Sequence, residues 1–265
     1  MKRPPMLGAK RVVQTVTAFE NGPKILLDLV RRTPELEYRT KTGLKIVCPN
    51  IAGARVPLYE LYAEDVYRTE DILAGLPEDL TVLDIGGHIG CFSMSIAQAA
   101  PKARIFTHEA SPSTIEFLKR NVATNSFGHQ ITVQESALSD HHGTLTFASN
   151  TLASGLNGMT SPAPEANVVE VPCVTFAEAV AGAGGTVHLV KMDVEGAEYP
   201  IILSSSPEDW STVQRVAMEF HGVPGKHWHE LRDFFLAAGF TLRDSDFGGE
   251  GFGMLWLEKP AVAGR

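Results

Sequence analysis

Two stretches of this chain carry residue types that do chemistry. In Val82-Leu83-Asp84-Ile85-Gly86-Gly87-His88-Ile89-Gly90 an apolar run ends in an acid followed by three glycines. Glycines let backbone approach a ligand closely, and a helix starting there aims unpaired N–H groups at its anionic part. In Lys191-Met192-Asp193-Val194-Glu195-Gly196-Ala197-Glu198 a second apolar run ends in an acid, and Gly196 lets the chain turn. Asp193 thereby falls on the side of the sheet where open α/β folds bind ligands. Glu195 and Glu198 are spaced to share one helical face. A third run ends Met218-Glu219-Phe220-His221. It adds a carboxylate and an imidazole to the same rim, groups suited to taking a proton or holding a metal ion.

Other residues point to the ligand. Glu109 stands 25 positions after Asp84, at the end of the run ARIFTHE. In a nucleotide-type crevice this acid accepts hydrogen bonds from ribose hydroxyls. Glu135-Ser136-Ala137 ends the next run, where an adenine edge would lie. The dinucleotide fingerprint G-x-G-x-x-G requires glycine where His88 stands, which disfavours a pyrophosphate. A Tyr-x-x-x-Lys pair is missing as well, which disfavours a nicotinamide-dependent dehydrogenase.

Positioning these residues falls to strands that alternate with helices of ten to fifteen residues, the pattern of βαβ units and a parallel sheet. The strands are TVLDI, ARIFTHE, ITVQE, VHLVKMD and RVAMEF; a final pair, FTLRDSD and GFGMLWLE, forms an antiparallel hairpin around Gly248-Gly249. The helices include one opening at Ser111-Pro112, with serine as cap and proline at N1. The alternation pauses at 140–173, where GTLTFAS and NVVEVPC read as two strands around the Ser/Gly/Pro-rich stretch 149–166. That stretch has little to bury, and the expectation is a mobile loop that folds over the substrate. Before the alternation, Pro23 opens a helix with Ile25, Leu26, Leu29 and Val30 on one face, and EYRTKTGLKIVCP reads as a hairpin turning at Lys41-Thr42-Gly43.

Composition excludes several classes. With 265 residues, 44% hydrophobic and 20% charged, the chain can bury a core without staples. A net charge of −8 with no basic run leaves no electrostatic footprint for nucleic acid or an anionic membrane. Apolar runs are too short to span a bilayer, MKRPPMLGAK lacks the apolar region of a signal peptide, and Cys48, Cys91 and Cys173 lie far apart. A cytoplasmic protein is the expectation.

These motifs together resemble the FkbM family of S-adenosylmethionine-dependent methyltransferases over about residues 55–258. VLDIGGHIGCFS, THEASPSTIEFLKRNVATN, VQESALSDHHGTLTF, VPCVTFAEAV and above all VKMDVEGAEYPIIL carry the likeness. His88 departs from the family's usual Ala-Asn at Gly87-His88. The resemblance implies a Rossmann-like class I methyltransferase fold, with a seven-stranded, mostly parallel sheet and an antiparallel last strand. It implies that Asp84, Gly86, His88 and Gly90 line the methionine end of S-adenosylmethionine. Glu109 would hold the ribose, Ala110 would also contact the cofactor, Ser136 and Ala137 would border the adenine, and Asp193 would lie beside the methyl group. Tyr67, 17 residues before Asp84, would contact the cofactor carboxylate.

The reaction this implies is O-methylation of a hydroxylated small molecule, a natural product or sugar. The alternatives are an N-methyltransferase of similar fold and a non-catalytic cofactor-binding module. Asp193, Glu219 and His221 are the candidate catalytic residues. In one version Asp193 or His221 takes the hydroxyl proton; in the other Asp193 and Glu219 bind a hard cation such as Mg²⁺, with Glu195 or Glu198 as a third carboxylate. Residues 78–265 are expected to form the methyltransferase domain. Residues 1–77 would be an extension that shapes the substrate entrance or meets a second copy in a homo-oligomer.

Overall fold

A computed structural model describes residues 5–149, 167–249 and 251–260. The chain opens with helices α1 (Pro5–Ala18) and α2 (Gly22–Arg31), then a hairpin of β1 (Glu35–Arg39) and β2 (Lys45–Pro49). Its turn includes Gly43 at φ 92, the left-handed conformation that glycine adopts without strain. On α2 the apolar face is narrower than its residue types suggest: Ile25 is buried, whereas Val30 is exposed. Short helices α3 (Val56–Tyr62) and α4 (Thr69–Leu73) complete this preface.

The alternating region then builds the main sheet. Strands β3 (Thr81–Ile85), β4 (Arg104–His108) and β5 (Ile131–Gln134) alternate with helices α5 (Cys91–Ala99) and α6 (Pro112–Thr124). After a two-residue strand β6 (Ala137–Leu138), β7 (Gly143–Ser149) and β8 (Asn167–Val174) pair antiparallel in a small separate sheet of order β6-β8-β7. Helix α7 (Phe176–Gly182), β9 (Leu189–Met192), α8 (Glu198–Ser204), β10 (Arg215–His221) and α9 (Trp228–Ala237) resume the alternation. The hairpin of β11 (Thr241–Gly249) and β12 (Phe252–Glu258) ends it. Of the stretch 149–166, all but Ser149 lies outside the described residues.

The main sheet runs β11-β12-β10-β9-β3-β4-β5, with β12 antiparallel to both its neighbours and the other pairs parallel. This is the Rossmann-like sheet with a reversed last strand. Strand order reverses between β3 and β9, the point where such sheets open a crevice at their carboxyl ends. Every residue of β3 is buried, as a central strand covered on both faces must be.

Two buried clusters follow from the sheet's period of two. Val82, Leu189 and Ala217 point to one face, against α5 and the preface; Leu83, Val190 and Met218 point to the other, against α7, α8 and α9. The preface shares the first cluster: Phe19, Tyr38, Ile46 and Leu58 are buried with Val82 and Met94. Asn121 of α6 also hydrogen-bonds both the N–H and the carbonyl of Val47.

Candidate active site

The register of the central strands decides which side chains meet. Met192 lies beside Ile85 on one side and Met218 on the other. The next residues, Gly86, Asp193 and Glu219, therefore reach the carboxyl edge on one level. By alternation, Asp84, Lys191, Asp193, Glu219 and His221 face the side that carries α5 and the preface. A Cβ on Gly86 would overlap the carbonyl oxygen of Asp193, so the two turns abut because this residue has no side chain. Gly86 also needs its positive φ of 80. Gly90 serves packing: a Cβ there would strike Leu118 of α6.

Lys191 is the hub beneath the turns. Its ammonium donates to the Gly86 carbonyl at 2.6 Å and pairs with Asp84 at 3.4 Å and Asp193 at 3.9 Å. Burial opposes its charge, yet Asp84 and Asp193 hold its pKa above the usual lysine value. Asp84 differs from the expectation of a direct cofactor contact: it is fully buried. Its Oδ2 accepts from Ser93 at 2.6 Å and Thr107 at 3.3 Å, while Oδ1 faces Lys191. The residue supports the glycine turn from below.

Glu109 holds the same turn from the side. One carboxylate oxygen accepts from the His88 N–H and the other from the Ser111 N–H, both at 2.8 Å. The Ala110 N–H adds a third backbone bond, and since a carboxylate has about four acceptor sites, capacity remains for a ribose. Burial raises the Glu109 pKa, against those N–H donors. His88 takes φ 48 within the turn, and burial pushes its pKa down to about 4, leaving the ring neutral at pH 7. Ser136 shares a hydrogen bond with His108 at 3.1 Å, and Ala110 and Ala137 pack on the Leu145, Val171 and Cys173 cluster of the small sheet. Tyr67 is buried edge-on against Phe92, with the Lys191 ammonium 5.9 Å from its ring centre. Burial first, then Asp193 and Glu219, push its phenol well up. These contacts place Tyr67 under the rim.

At the rim Asp193, Glu219 and His221 converge, each partly exposed, with one potential ligand atom from each lying within 4.8 Å of the others. Glu198, completely buried, lies behind them. Its Oε1 accepts from His221 Nδ1 at 2.9 Å and from the N–H groups of Val194 and Gly196. Burial works against the charge of His221, but Glu198, Asp193 and Glu195 outweigh it and lift the pKa to about 9. Burial and Asp193 push Glu219 up to about 8. Glu195, at φ 52 in the turn, lies 3.5 Å from His221 Nε2 and is raised to about 7, mainly by burial. The positive φ of Glu195 and of Gly196 delays α8 until Glu198.

The structure thus brings Asp193, Glu219 and His221 together and sets Gly86 and Glu109 at the neighbouring turn. Two contributors escaped the sequence reading. Lys191 had a signal, a charge inside the apolar run HLVKM, since a lysine so placed must find partners. Glu60 of α3 had none. Burial and Asp193 raise it to about 7, which shows the preface contributing an acid to the rim's electrostatics.

The fold is a Rossmann-like α/β sheet with a rim of acids and an imidazole at the carboxyl ends of its central strands. The pattern of the methyltransferase FkbM domain matches residues 84–242, more than half of the chain. The chain belongs to this family, and the domain is an S-adenosylmethionine-dependent methyltransferase. It is 24% identical over 234 residues to the 31-O-demethyl-FK506 methyltransferase FkbM of Streptomyces tacrolimicus, covering 77% of this chain and 88% of that one. Methyltransferase sdnD of Sordaria araneosa is 27% identical over 180 residues, 56% of this chain and 68% of its own. The AMB antimetabolite synthetase AmbE of Pseudomonas aeruginosa is 31% identical over 138 residues, 52% of this chain but only 6% of that much longer protein. Among the described residues no helix is long and apolar enough to cross a membrane.

Proposed function

We propose that the chain transfers the S-adenosylmethionine methyl group to a hydroxyl of a small natural product or sugar. The observation that carries this reading is the convergence of Asp193, Glu219 and His221 on the strand ends beside the Gly86 turn. Glu109 would take the ribose, Ser136 and Ala137 the adenine side, and the Gly86–His88 turn the methionine part. When bound, S-adenosylmethionine would supply its methyl carbon to the acceptor oxygen, keeping the electron pair of the broken carbon–sulfur bond on sulfur as S-adenosylhomocysteine. The hydroxyl proton must leave to the rim. His221, held charged at neutral pH by Glu198, Asp193 and Glu195, already carries a proton, so Asp193 is the acceptor. The sulfonium is a good leaving group, so alignment supplies much of the acceleration. The relative from Streptomyces tacrolimicus is named for an O-demethyl substrate, which supports oxygen as the methylated atom.

Calorimetry against S-adenosylmethionine, S-adenosylhomocysteine and NAD tests the cofactor: the first two bind and NAD does not. Labelled methyl transfer into a cell extract, with the product identified, tests the acceptor. A methyl ether supports the reading, whereas an N-methyl product overturns it.

A further inference from the structure

From the arrangement of Asp193, Glu219 and His221 we infer a site for one divalent first-row transition ion of the Mn²⁺ type, at the point where the methyl acceptor's hydroxyl would bind. The inference rests on the methyltransferase reading only for its purpose; the ion site stands on its own geometry.

Three observations carry it. The three side chains come from the adjacent ends of β9 and β10, and one potential ligand atom from each lies within 4.8 Å of the others. Two ligands of one ion with bonds of about 2.2 Å lie roughly 3–4.4 Å apart, and the 3.8 Å between His221 Nε2 and Glu219 falls within that range. Next, His221 is set as metal-binding imidazoles are set. Its Nδ1 donates at 2.9 Å to Glu198, which is completely buried and is itself fixed by two backbone N–H groups. A carboxylate behind the ring fixes its orientation and makes the other nitrogen a better ligand. That nitrogen, Nε2, points at the acids, 3.8 Å from Glu219 and 3.5 Å from Glu195. Finally, Glu219 is only 23% exposed in its side chain, and the basic partner it meets is His221.

The donor set chooses the ion. Carboxylates alone suit Mg²⁺, whereas an imidazole nitrogen shifts preference toward transition ions, and Mn²⁺ accepts both donors. The third donor at this site is an imidazole rather than a carboxylate. When bound, the ion would lower the pKa of a coordinated hydroxyl and fix its direction.

The test uses the full chain, stripped with a chelator and titrated with Mn²⁺ while the free aquo-ion is followed by electron paramagnetic resonance. One ion per chain is expected, with an imidazole nitrogen coupling in the pulsed spectrum and weak competition by Mg²⁺. His221→Gln should abolish the nitrogen coupling and weaken binding at least tenfold. Glu198→Gln, a change in a positioning residue, should weaken binding about 10–100-fold while keeping the coupling. Should Glu198→Gln not fold by circular dichroism, Glu219→Gln at the rim should weaken binding by a similar factor. No stoichiometric Mn²⁺, or bound Mn²⁺ without nitrogen coupling, overturns the site. S-adenosylmethionine binding without Mn²⁺ binding overturns the ion alone. Mn²⁺ binding without S-adenosylmethionine binding supports the ion and overturns the methyl-transfer reading.

Discussion

Replacing Lys191 with methionine should destabilise the protein strongly, because it strips a buried carboxylate of its counter-charge. The ammonium lies 3.4 Å from Asp84 and 3.9 Å from Asp193, and Asp84 is fully buried. At an effective dielectric near 20, each attraction at these distances is worth about 4–5 kcal/mol. The cost of burying the lysine offsets part of this, and breaking one side of a buried pair costs about 3–5 kcal/mol. For a chain of this size each kcal/mol shifts the melting temperature by about 2–4 °C, so Lys191→Met should melt about 6–20 °C lower. The decisive comparison is the double variant Asp84→Asn with Lys191→Met. Neutralising Asp84 removes the uncompensated charge, so urea denaturation should show at least half of the loss recovered. A Lys191→Met protein within about 0.5 kcal/mol of the parent would refute the reasoning, as would a double variant no more stable than Lys191→Met alone.

Glu109→Ala should weaken S-adenosylmethionine binding about tenfold to a hundredfold by calorimetry, since a hydrogen bond to a charged group is worth about 1.5–3 kcal/mol. Asp84→Ala, by contrast, should show chiefly as a lower melting temperature, because its contacts are with Ser93, Thr107 and Lys191. Asp193→Asn should lower turnover at least a hundredfold with little change in cofactor affinity, in line with losses of about 10²–10⁴ for a general base; near-normal turnover in a folded variant would remove Asp193 from the chemistry. His108 is held neutral by burial, its pKa lowered from 6.5 to about 4. Its contribution is therefore intact above pH 6.5 and lost as pH falls toward 4, about 3 kcal/mol in all. Urea midpoints at pH 7 and pH 4.5 should draw together in His108→Gln.

Much of the framework is legible along the chain because it depends on near neighbours. Apolar runs ending in Asp84, Glu109, Asp193 and Glu219 mark strands whose last residues reach one edge of a parallel sheet. The glycine turn and the DVEG turn mark where that edge binds something, and two alternating runs around a glycine-rich stretch mark the antiparallel ending, although β11 runs on through Gly248 and Gly249 rather than turning there. Local pattern does not reveal which side of the sheet each acid faces or what lies behind it. Asp84 and Glu109 look alike in sequence, yet one is sealed beneath Lys191 while the other grips backbone N–H groups of the turn. Glu198 could be read as a helix-start acid or a third ligand; folding sets it behind His221, where its full burial makes it a clamp on the ring. Glu60 carries no motif, and it reaches the field of Asp193 because the preface packs on the same face of β3, β9 and β10. These decisions belong to the tertiary structure. A buried charge takes its role from the groups around it, and here they come from strands and helices up to about 130 residues apart.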